Sequence, residues 1–114
     1  MPDTTGHNLS DDMLACIEVC LDCHKACLQT IPYCLQQGGM HAEPNHIRLM
    51  TDCAEICQTS ANFMISGSPL HHLTCEACAE VCRRCADDCE RVGDMDECVK
   101  ACRACAESCA KMTA

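Results

Sequence analysis

The chain lacks tryptophan and carries one tyrosine, Tyr33, and one phenylalanine, Phe63. Aromatic rings supply much of the buried area of an ordinary core. Without them, a single domain of 114 residues has to be built from Ala, Cys and a modest set of Leu, Ile and Val. Such a core buries little apolar area, so metal or disulfides are expected to help hold it together. Positive charge is also scarce, with 8 Lys and Arg against 17 Asp and Glu, a net charge of −9. That balance argues against nucleic acid and anionic membranes as partners. Acidic helix faces of this kind serve mainly solubility. No apolar run approaches the length of a membrane span. The first residues, Met1-Pro2-Asp3-Thr4-Thr5-Gly6-His7-Asn8, have no basic region, no apolar stretch and no twin arginine, so the expected location is the cytoplasm.

Cysteine is abundant, with 16 in 114 residues, a level that marks a disulfide or metal scaffold. Thiols in the cytoplasm stay reduced, which favours metal over disulfides.

The punctuation predicts an all-α chain of four helices after a disordered lead at 1–9. Ser10 is a cap, with Asp11 and Asp12 in the first turn of a helix over about 10–37. Pro32 should kink or break it, and Gly38-Gly39 ends it. Residues 40–43 read as a loop. Pro44 opens a helix over about 44–66. Gly67 ends that helix, Ser68 caps the next and Pro69 fills its first position, giving a helix over about 69–92. Gly93 stops it. Asp94 and Glu97 form a capping box for a helix over about 95–111. Short connections imply an antiparallel up-down-up-down bundle occupying residues 10–114.

The cysteine spacing gives the core. The first helix has Cys16, Cys20, Cys23, Cys27 and Cys34. The second has Cys53 and Cys57. The third has Cys75, Cys78, Cys82, Cys85 and Cys89, and the fourth has Cys98, Cys102, Cys105 and Cys109. Steps alternating three and four place residues on one face of a helix, and that face normally turns inward. A single seam cysteine is usually a small core hydrophobe. A core filled with them forfeits the volume that leucine would supply, and small size alone does not account for that loss.

Thiols four residues apart have Cβ atoms roughly 5–6 Å apart and can straddle one small ion. Cu(I) is soft and selects thiolate, so a ladder of such pairs with bridging sulfurs suits multiple Cu(I) ions, on the order of one per cysteine. Zinc requires a closed tetrahedron and would have to draw sulfurs from several helices; it stays open as an alternative soft-metal store. The loop chemistry of iron–sulfur sites is missing, since no Cys precedes Pro. Inter-helix disulfides are possible, whereas bridges along one helix have poor geometry. A thiol redox protein would need exposed, acidic cysteines, and the seam buries them. A copper chaperone would need only one or two exposed sites. No enzymatic role is expected.

Extended by their own period, the seams end in softer neutral ligands. Met13, Met64, His71 and Met112 fall at the end that holds both termini. Cys34, His46, Met50, Cys89 and Met95 fall at the other. Thioethers suit sites that pass Cu(I) inward, although Met also plugs bundle ends as flexible filler. The terminal end is the favoured mouth, with the loop over 38–43 covering the other. His24, His41 and His72 are expected to be solvated, and His7 lies in the lead.

The segments Cys16-Ile17-Glu18-Val19-Cys20-Leu21-Asp22-Cys23-His24-Lys25-Ala26-Cys27 and Cys98-Val99-Lys100-Ala101-Cys102-Arg103-Ala104-Cys105-Ala106-Glu107-Ser108-Cys109 resemble the bacterial copper storage proteins, and the likeness covers about residues 10–112. The resemblance implies a four-helix bundle that binds many Cu(I) ions in its core and assembles as a homotetramer. The missing signal matches the cytosolic branch of that family. The second helix departs from the pattern, with two cysteines and Ser60 on its seam, which implies a lower capacity on that side.

Overall fold

The computed structural model describes residues 9–113. Expectations for residues 1–8, His7 among them, lie outside the described residues. Four helices follow one another: α1 Asp11–Gln37, α2 Pro44–Ile65, α3 His71–Val92 and α4 Asp96–Lys111. α1 packs on α2 and α4, and α3 packs on α2 and α4, so the antiparallel four-helix bundle expected from the short connections is what forms.

The start of α1 follows the sequence: the Ser10 hydroxyl accepts from the Met13 amide at 3.1 Å. Pro32 does not break α1, which runs on to Gln37. Pro32 is exposed, and so is Leu28, the residue whose carbonyl it fails to bond. Cys27 and Cys34, buried on either side, anchor the helix in one register. The loop after α1 is a turn of 3-10 helix, Gly39–Ala42.

Two helix starts differ from expectation. α3 begins at His71 rather than at Pro69, because Ser68 caps a separate turn: its hydroxyl accepts from the Leu70 amide and its carbonyl from the His71 amide. The capping box of Asp94 and Glu97 does not form. The cap residue of α4 is Met95, with no side-chain bond. Gly93 and Asp94 both have positive φ, 92° and 60°, which makes the turn tight. A side-chain cap needs extended backbone at the capping residue, and Asp94 is left-handed.

All 16 cysteines are buried. With them lie Met50, Met64, Met95, His46, Ser60, Ile17 and three alanines. The larger aliphatic side chains, among them Leu21, Ile31, Leu49, Ile56 and Val99, are only partly buried and pack around that centre. Sulfur thus occupies the axis, and the aliphatic groups form a collar between neighbouring helices.

Candidate metal centre

The seams of the four helices meet along the axis and bring twelve thiols into overlapping groups. Cys16, Cys75 and Cys109 form one near the terminal end. Further along lie the groups Cys20/Cys78/Cys105/Cys109, Cys57/Cys78/Cys82/Cys105, Cys23/Cys53/Cys57/Cys82 and Cys23/Cys27/Cys53/Cys102. Within each group all sulfurs lie within 4.8 Å of one another. The shortest contact is Cys57–Cys82 at 3.4 Å. Cys20–Cys109 at 3.5 Å, Cys53–Cys82 at 3.6 Å and Cys23–Cys102 at 3.6 Å are typical of the rest. With metal–sulfur bonds near 2.3 Å, a trigonal ion separates its sulfurs by about 4.0 Å and a linear one by about 4.6 Å. The groups therefore need to open by only a few tenths of an ångström to an ångström. Adjacent groups share members, so one sulfur borders two potential ion positions.

The thiols tune one another. Cys23 and Cys78 are held far below the ordinary thiol range, chiefly by their hydrogen bonds with Cys102 and Cys105 respectively. Cys53 and Cys105 are pushed up, chiefly by Cys102 and Cys109 respectively. Within such a cluster the thiols differ in how readily each gives up its proton.

Four thiols, Cys34, Cys85, Cys89 and Cys98, stand outside these groups, toward the α3–α4 turn. Here the ligand chemistry changes. The Cys34 thiol donates to Met95 Sδ at 3.2 Å and lies 3.6 Å from His46 Nε2. The His46 ring is oriented from behind: its Nδ1 donates to Asp88 at 2.7 Å, and Asp88 also accepts from Arg91 at 2.9 Å. Burial works against the Asp88 carboxylate, but the bonds from His46 and Arg91 outweigh it and hold its pKa below the ordinary value. Such a carboxylate–histidine pair presents the far ring nitrogen to an ion. Cys98 and Met95 are the least covered sulfurs of this region, 2% and 5% exposed. They floor a cavity of about 470 Å³ rimmed by Tyr33, Asp94, Asp96 and Glu97. Cys102 opposes ionisation of Cys98, but bonds from Cys27, Cys85 and Cys89 prevail and lower its pKa to about 5.

At the terminal end, Met64 is buried and accepts from Cys75 at 3.8 Å, and Ser60 Oγ lies 3.3 Å from Cys75 Sγ. Met13, His71 and Met112 are partly buried; among the described residues, thiol hydrogen bonds to methionine reach only Met64 and Met95. His71 donates to the Ser68 carbonyl. Met50 is buried on its seam, as expected.

Two histidines expected to be solvated are not. His24 donates to the Ala54 carbonyl of α2 at 2.7 Å. His41 donates to the Gly93 carbonyl at 3.1 Å and packs edge-on against Tyr33, tying the 3-10 turn across the α3–α4 end. His72 is exposed. Sequence reasoning missed Asp88; its one visible signal was adjacency to the seam residue Cys89. The acids around the cavity were hidden by their placement at a turn.

Among the described residues, no helix is long and apolar enough to cross a membrane. The fold is close to that of several solved proteins. A protein of Nitrosospira multiformis is 50% identical, with a TM-score of 0.87 over 90% of this chain and 94% of that one. The Cu(I)-bound copper storage protein BsCsp3 of Bacillus subtilis is 37% identical, with a TM-score of 0.84 over 91% of this chain and 100% of that one. A cytosolic copper storage protein of Streptomyces lividans, solved with five coppers, is 30% identical, with a TM-score of 0.78 over 90% and 92% of the two chains. Residues 9–114 match the sequence model of the family described as copper storage protein, and this chain belongs to that family.

Proposed function

We propose that the chain stores multiple Cu(I) ions in the cytoplasm on its 16 core cysteines, Cys16 through Cys109. The observation that carries this reading is the run of overlapping sulfur groups, wholly buried and with no Lys or Arg among the buried residues. Each Cu(I) replaces one thiol proton, so a Cu(I)–thiolate unit is neutral. Four thiolates around Zn²⁺ would leave two negative charges in a core with no cation to offset them, and an unpaired buried charge is costly. The core therefore favours a monovalent soft ion, and its chemistry is proton exchange at sulfur. Anaerobic titration of the reduced protein with Cu(I) against a competing chelator tests this. On the order of one ion per thiol is expected; saturation at one or two ions would sink the proposal.

We place the mouth at the α3–α4 turn rather than at the terminal end that the sequence favoured. Met95, Cys98, Cys34 and His46 form a graded path there, from thioether and thiol to a carboxylate-backed imidazole. Met13, Met64, His71 and Met112 then close the opposite end. The resemblance to the copper storage proteins supports a homotetramer, and the likeness to the cytosolic protein of Streptomyces lividans supports a cytosolic site. Light scattering on the reduced protein reads the mass, and a monomer would overturn the assembly.

A further inference from the structure

α1 carries a second seam that the metal core does not use. Leu14, Leu21, Leu28 and Leu35 recur at strict seven-residue spacing. Leu21 and Leu28 stand three before and four after His24, whose ring bonds the Ala54 carbonyl of α2, so the leucines run along the edge of α1 beside α2. From α2, Ile47 lies seven residues before Ala54 and Ile65 eleven after, on the same border. Leu14, Leu28, Leu35 and Ile65 are 43%, 47%, 55% and 52% exposed. The opposite face is built differently: Arg83 and Arg103 bridge to Asp87, and Arg103 also reaches Glu90.

We propose that this leucine strip is where a second copy of the chain docks, α1 against α1 in antiparallel register. A partner must match apolar groups at seven-residue intervals over 22 residues, and α1 itself has that pattern. An antiparallel pairing about an axis near His24 and Lys25 sets Leu14 against Leu35 of the second copy and Leu21 against Leu28. It also opposes the two helix dipoles. Charge permits the approach. The protein as a whole is at −9, yet the flank of the strip on α1 carries only Asp11, Glu18 and Lys25, a net of one negative charge, and Thr51 and Gln58 are its α2 neighbours. The strip is about 31 Å long by helix rise and about 20 Å wide across two helices. Two copies would bury about 1,200 Å², the lower limit for a specific interface. The mouth at Met95 and Cys98 opens on the other edge of α1, beside Thr30 and Tyr33, and stays clear of the partner.

The inference rests on the oligomer reading above and gives it a surface. Light scattering is run on reduced wild type, Leu28→Glu, Leu35→Glu and Leu73→Glu, the last 56% exposed and off the strip. Wild type and Leu73→Glu should have at least twice the chain mass of 12.4 kDa, and the two strip variants at most half the wild-type mass. Circular dichroism checks folding, and Leu28→Gln, expected to weaken association at least ten-fold, is read if the Glu variants lose helix. A monomeric wild type overturns both the oligomer and the strip. An oligomer unchanged by Leu28→Glu and Leu35→Glu, or dissociated by Leu73→Glu alone, overturns the strip only. Copper capacity should be unchanged in the dissociated variants, so a failure of copper storage is read separately.

Discussion

Ser60→Cys should raise the copper capacity by one ion per chain. Ser60 is the seam position where α2 has a hydroxyl in place of a thiol; it is fully buried, with Oγ 3.3 Å from Cys75 Sγ. Cys75 belongs to the three-sulfur group with Cys16 and Cys109, so a sulfur at position 60 would give that group a fourth member. Exchanging oxygen for sulfur crowds the contact, because thiol pairs in this core lie 3.4 to 4.0 Å apart, and a shift of a few tenths of an ångström relieves it. The lost O–H bond costs about 0.5–1.5 kcal/mol, the crowding costs less than about 1.5 kcal/mol, and burying the larger, less polar atom returns about 1 kcal/mol. Metal-free stability should therefore fall by no more than about 2 kcal/mol. The assay is anaerobic Cu(I) titration against a competing chelator, paired with a thiol count. Ser66→Cys, at the exposed end of α2, is the control: it adds a thiol and no tightly held ion. A folded Ser60→Cys protein with unchanged capacity, or a Ser66→Cys protein with an equal gain, would refute the claim that seam position defines a ligand.

Other outcomes follow from the same geometry. Replacing both mouth sulfurs, Met95→Leu with Cys98→Ser, should slow copper uptake in stopped-flow by about ten-fold or more, equivalent to about 1.4 kcal/mol of barrier. The capacity of that variant should drop by about one ion; an unchanged uptake rate would move the mouth elsewhere. Asp88→Ala strips the buried His46 Nδ1–H of its acceptor and should lower stability to denaturant, under reducing conditions, by about 1–3 kcal/mol. Cys53 and Cys105 hold their protons more tightly than a free thiol, chiefly because of Cys102 and Cys109 respectively, so at neutral pH an ion bound on either displaces its proton. Affinity per ion should fall about ten-fold for each pH unit downward, read by competition with a chelator whose own pH dependence is known; a flat profile would mean the thiols were already ionised.

The helices and their inward faces were legible because the three-four cysteine steps repeat along α1, α3 and α4, and His46, Met50, Ser60 and Met64 extend the single Cys53–Cys57 step of α2 at the same period. What escaped was set by partners distant in sequence. His24 looks like a surface residue until α2 brings the Ala54 carbonyl to it, 30 residues on. His41 looks like loop filler until the α3–α4 turn supplies the Gly93 carbonyl. Asp94 has the residue type of a cap but not the backbone, because the turn after Gly93 forces it left-handed. Pro32 has the residue type of a breaker, but it and Leu28 are both exposed residues of α1, and Cys34 beyond them is buried. The uneven sulfur density, twelve thiols in tight groups and four outside them, depends on how four helices are rotated and staggered, and no single seam encodes it.

The proton-for-copper exchange in a core without cations has a consequence for the cell. At every protonated thiol one positive charge leaves for each that arrives, so filling those sites adds nothing to the charge that the protein presents to its surroundings. Loading of those sites is electrically silent. Neither electrophoretic mobility nor long-range attraction to a partner can report how much copper is inside. A protein that fills or drains the store has to touch the gauge itself, and at the proposed mouth that means Met95 and Cys98, beneath their rim of acids.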